Sequence, residues 1–116
     1  MQYLLLIYNN ESDFAAMPED EKQALFKDYH SFTAGIRESG HYLGGNPLQP
    51  VATATTVRVR DGQPMTTDGP FAETREQLGG YYLIEAGDLD QATGIAARIP
   101  GARTGSVEVR PILAMG

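Results

Sequence analysis

At 116 residues, 41% of them hydrophobic, the chain is sized for one domain with a real core. The formal net charge is −6 and the 9 basic residues are scattered, so no basic stripe is available to track phosphates and nucleic-acid binding is not expected. With no cysteine the chain has no disulfide, thiolate metal ligand or Cys nucleophile, and no run approaches the ~18 apolar residues of a membrane span.

The chain opens on Gln2 to Tyr8, apolar at nearly every position, which predicts a strand covered on both faces. This stretch is short and lacks a basic start, so it is not read as a signal peptide, and the protein is expected in the cytoplasm. Asn9 to Met17 reads as a loop with a helical turn. Pro18 and the acids Glu19, Asp20 and Glu21 then open a long helix, because Pro suits the first turn and acids suit the positive end of the helix dipole. Leu25, Tyr29, Phe32 and Ile36 fall on one helical stripe, and Gly40 closes the helix. His41 to Leu48 is a short extended piece. Thr53 to Arg60 alternates, with Thr55, Val57 and Val59 on one face and Thr56, Arg58 and Arg60 on the other, the latter read as solvated. Asp61-Gly62 signals a two-residue hairpin returning along Pro64 to Thr67, and Pro64 places that hairpin at a sheet margin.

The run from Thr67 to Glu85 is the densest in local signals. Asp68-Gly69-Pro70 is turn chemistry; Glu73 and Glu76 suit the start of a short helix; Gly79-Gly80 would stop that helix and release a strand at Tyr81 to Glu85. Asp88 caps a second helix with Gln91 three residues on, its buried stripe read as Leu89, Ala92, Ala96 and Ile99, and Pro100 ends it. Ser106 to Ile112 is the last strand. This order predicts an α+β fold: a ferredoxin-like antiparallel sheet with two helices on one face and an inserted β-hairpin. Two helices cover one face only, and both the first strand and Tyr81 to Ile84 are apolar on the other. A second copy of the sheet is the natural cover, so a homodimer is expected.

The run Asp68-Gly69-Pro70-Phe71, with flanking sequence from Tyr3-Leu4-Leu5-Leu6-Ile7-Tyr8 to Pro111-Ile112, resembles the YCII-related family and its DGPF-domain branch. The resemblance implies a dimeric α+β barrel. Barrels of that superfamily support isomerase, lyase or monooxygenase-like chemistry on small organic substrates without a cofactor. It also implies that His30 matches a first-helix histidine which some members pair with an aspartate, for which Asp68 is the candidate. Genes of the branch neighbour extracytoplasmic-function sigma factors, which implies a regulatory module as the alternative.

By residue chemistry, a carboxylate bonded to one imidazole nitrogen fixes the tautomer and leaves the other to work as a general base near neutral pH. The catalytic candidates are therefore His30 and Asp68. His30 reads equally as a surface-flank residue, and Asp68 as a turn former. Tyr8, Phe71, Glu73 and Tyr82 are candidate contacts for a small organic ligand, with core packing or helix capping as their plainer uses. His30 and His41 are not at ligand spacing, and neither a metal nor a cofactor is expected.

Overall fold

The computed structural model describes residues 1–115. Burial alternates along the first strand, β1 (Gln2–Asn9): Tyr3, Leu5 and Ile7 are buried, while Leu4, Leu6 and Tyr8 are half-buried on the opposite face. A period of two follows from the pleat, so one strand contributes to two layers. A short helix, α1 (Glu11–Ala15), follows, capped by the Asn10 side chain on the Asp13 amide. The long helix α2 (Glu19–Glu38) begins behind Pro18, buries Phe32 and Ile36 and ends at Gly40, whose φ of 81° is the left-handed termination glycine permits.

Strand β2 (Tyr42–Pro47) is followed by β3 (Thr55–Arg60), β4 (Gln63–Asp68) and β5 (Gln77–Glu85). Helix α3 (Leu89–Ala97), capped by Asp88 on the Gln91 amide, leads to β6 (Ser106–Pro111). Four strands form one antiparallel sheet in the order β2-β5-β1-β6, and β3 and β4 form a separate two-stranded ribbon. Strands β1 and β2 are parallel with β5 between them, and β5 and β6 are parallel with β1 between them. These are two interlocked split β-α-β units, the ferredoxin-like topology, with the ribbon inserted between β2 and β5. One core joins Tyr3, Leu5 and Ile7 to Tyr82 and Ile84 of β5, Phe32 and Ile36 of α2, and Ala92, Ile95 and Ala96 of α3.

Three local expectations are overturned. Residues 69–76 form no helix; the Thr74 hydroxyl donates to the Glu76 carbonyl and the Gln77 side-chain Nε2 to the Thr74 carbonyl, satisfying these carbonyls locally instead. Gly79 and Gly80 do not stop a helix but lie inside β5, where the register slips between Ile7 and Tyr8. At Gly80 the use is close approach: a Cβ there would meet the Asn46 carbonyl oxygen at 3.1 Å. Leu89 is 51% exposed, and Ile95 takes its place in the buried stripe.

Candidate functional site

The open face of the sheet is built from alternate residues of β1 and β5. Leu4 lies opposite Leu83, and Leu6 opposite Tyr81. Tyr81 is in turn opposite Asn46 of β2, while β6 brings Glu108 beside Leu6 and Arg110 beside Leu4. The centre is therefore aliphatic, with phenols of Tyr8 and Tyr81 on it and the Glu108–Arg110 ion pair along one margin. The Asn46 Nδ2 donates to the Tyr81 phenol oxygen at 3.0 Å, which leaves the Tyr81 O–H free to donate elsewhere. An apolar floor with a small number of placed donors is the general make-up of a small-molecule site.

The opposite face is closed. Tyr82 is buried against the helices, its hydroxyl bonded to Thr33 Oγ1 at 2.7 Å and its ring 5.2 Å edge-to-face from Phe32. Tyr29 accepts from the Gly101 amide at 3.1 Å. Burial raises the phenol pKa of both, the Gly101 bond partly offsetting it at Tyr29 and the Thr33 bond at Tyr82. Of the sequence candidates for ligand contact, Tyr8 alone faces the open side of the sheet; Tyr82 belongs to the core, Phe71 is 79% exposed on the segment after β4, and Glu73 is exposed on that same segment.

His30 is exposed on α2, and Asp68 is exposed at the end of β4, paired with Thr55 across the ribbon. Among the described residues no hydrogen bond or ion pair joins His30 to Asp68. The Asp68-Gly69 segment is bonded within the ribbon: the Gly69 amide donates to the Ala54 carbonyl at 2.7 Å, and Thr56 Oγ1 donates to the Gly69 carbonyl at 2.8 Å. His41, the other histidine, donates from Nδ1 to the Glu85 carbonyl at 2.8 Å and so ties the start of β2 to the end of β5. No cluster of His, Cys, Asp or Glu suited to a metal occurs among the described residues. No helix among them is long and apolar enough to cross a membrane.

Asn46 was not singled out from the sequence. Gly44, Gly45 and Pro47 around it hide the strand alternation, and only its pairing with Tyr81 reveals which face it serves. A depression of about 680 Å³ lies elsewhere, between Met1, Gln2 and residues Pro111 to Met115, and none of the candidate residues lines it.

A split β-α-β sheet with helices on one side and an aliphatic, phenol-bearing floor on the other defines a ferredoxin-like α+β protein with an open sheet face. The model of the YCII-related domain matches residues 1–116, and the chain belongs to that family. It is also similar to an uncharacterised protein of Rhizobium meliloti (strain 1021), 39% identical over 114 residues, which cover 97% of this chain and 92% of that relative.

Proposed function

We propose that the protein is a homodimer assembled on the open sheet face, and that the space between the two sheets holds a small organic molecule. Within the YCII-related family, the Asp68-Gly69-Pro70-Phe71 run supports membership of the DGPF branch. The observation that carries the reading is the paired floor Leu4–Leu83 and Leu6–Tyr81. On a strand facing water those positions would be polar; here they form a continuous apolar layer with two phenols set in it. The free Tyr81 O–H favours a ligand that is largely apolar and carries a hydrogen-bond acceptor such as a carbonyl. Binding without catalysis is preferred to acid–base chemistry, because the exposed His30 and Asp68 stand unbonded to one another, one on a helix flank and one on the ribbon.

Light scattering and native mass spectrometry on the purified protein test both halves. The expected mass is that of two chains, lowered to one by Leu83→Asp, with Tyr81→Phe keeping the dimer and weakening retention of a carbonyl-bearing apolar probe such as acetophenone. A stable wild-type monomer at micromolar concentration would overturn the assembly. Equal probe retention by Tyr81→Phe would remove Tyr81 from the site.

A further inference from the structure

The β3–β4 ribbon has no counterpart in the minimal ferredoxin-like topology, and its own chain does not use it. The hydrogen bonds of Thr56 and Gly69 close the ribbon onto itself. Of its strand residues only Thr56 is even half-buried. An isolated two-stranded hairpin is marginal in water, so a ribbon this exposed needs a surface to lie on.

The register divides it into two unlike faces. Thr55, Val57, Val59, Pro64, Thr66 and Asp68 share one side; Arg58 and Arg60 are on the other with Met65. Val57 and Val59 are 60% and 59% exposed, whereas Arg58 and Arg60, which form no ion pair among the described residues, suit water. The ribbon is thus an amphipathic layer whose apolar side is uncovered. Its direction is set by the shape of the chain, whose Cα extents are 48 × 47 × 18 Å. At 18 Å the molecule has the thickness of one helix layer on one sheet, so the ribbon adds to its breadth and does not lie over either layer.

We infer that the β3–β4 ribbon is an arm that reaches past its own sheet and lies, Val57 and Val59 inward, on a second copy of this chain. The inference rests on the homodimer proposed above and adds the arm to its interface. Area favours this occupant. Four strands spaced ~4.8 Å apart and six to nine residues long give a sheet face of roughly 450 Å², little more than half of the ~800 Å² per partner in a standard stable interface. A two-stranded arm offers roughly 200 Å² per face. Because two-fold symmetry makes each copy both give and receive an arm, the pair of arms supplies the missing half.

The absence of cysteine makes the test direct. Val59→Cys and, on the opposite face, Arg58→Cys are each labelled with a benzophenone maleimide and irradiated, while light scattering follows the mass of the same samples. The expected result is two-chain mass for both variants, with at least fivefold more covalent dimer from the Val59 position. A two-chain mass with equal covalent yield from both positions, or with none, would overturn the arm and leave the sheet-face dimer standing. A one-chain mass for wild type would overturn the dimer first and the arm with it.

Discussion

The β1–β5 pair and the β3–β4 pair are made by the same bonds and end in opposite surroundings. Both are antiparallel ladders in continuous register, apart from the slip at Ile7 and Tyr8. In β1–β5 one face is sealed by helices, with Leu5 and Ile84 at 0% exposure; in β3–β4 both faces are open. Ladder bonds replace bonds to water and give a modest net gain, about 0.5–1.5 kcal/mol each, so pairing alone does not explain why one element anchors the fold. Apolar area removed from water makes the difference.

Truncation should expose that contrast most strongly. Leu5→Ala removes a fully buried side chain from the centre of the core, and a loss of about 2–5 kcal/mol is expected in urea unfolding. Val57→Ala, on the open ribbon, should change the unfolding of the isolated chain by no more than about 0.5 kcal/mol. Comparable losses at both positions would mean that the ribbon is already buried in the species being unfolded, as the arm requires of the dimer; dilution below the dimer midpoint should then restore the difference.

Gly69 joins the two regions, since its φ of 96° turns the chain out of β4 and its amide closes the ribbon on Ala54. A Cβ there would meet nothing within 4 Å, so the cost of Gly69→Val lies in the backbone conformation and not in a clash. About 1–3 kcal/mol is expected, with Gly69→Asn recovering part of it because Asn tolerates the left-handed region. Identical thermal unfolding of wild type and Gly69→Val would show that the turn can relax.

The smallest effect is a pH signature of the closed side. Burial holds the phenols of Tyr29 and Tyr82 protonated, raising their folded pKa above the ordinary value of about 10. Their contribution to stability is therefore complete below the unfolded pKa and is lost as pH rises through the folded one. Urea midpoints should fall from about pH 10 upward, and Tyr82→Phe should flatten that fall while losing the Thr33 bond, worth about 0.5–1.5 kcal/mol. An unchanged alkaline slope in Tyr82→Phe would place the loss at other groups.

Much of the frame was legible in the sequence because its signals are local. Pro18 with its three following acids, the stripe through Phe32 and Ile36, the Asp88 cap and the Asp61-Gly62 turn each act within a few residues, and each stands where its chemistry puts it. The helix expected after Pro70 failed because Gly80 serves a neighbour distant in sequence: it admits β2 alongside β5. The open face was harder still. Tyr81 and Tyr82 are adjacent and chemically identical, yet one faces the helices and the other the open side. In a strand apolar on both faces no alternation tells them apart, and only the register with Leu6 and Asn46 assigns them. Likewise, the sequence supports a His30–Asp68 pair by residue type, but a helix flank and the end of the ribbon are separate places that no spacing rule compares.

The central position of β1 also bears on synthesis. Strand β1 leaves the ribosome before both of its neighbours in the finished sheet, β5, which begins at Gln77, and β6, which begins at Ser106. At roughly 5–20 residues per second, a segment apolar on both sides waits several seconds for its first neighbour and longer for its second. Until then Tyr3 to Tyr8 is an unpaired apolar strand of the kind that chaperones shield, and pairing it requires closure of a loop spanning most of the chain.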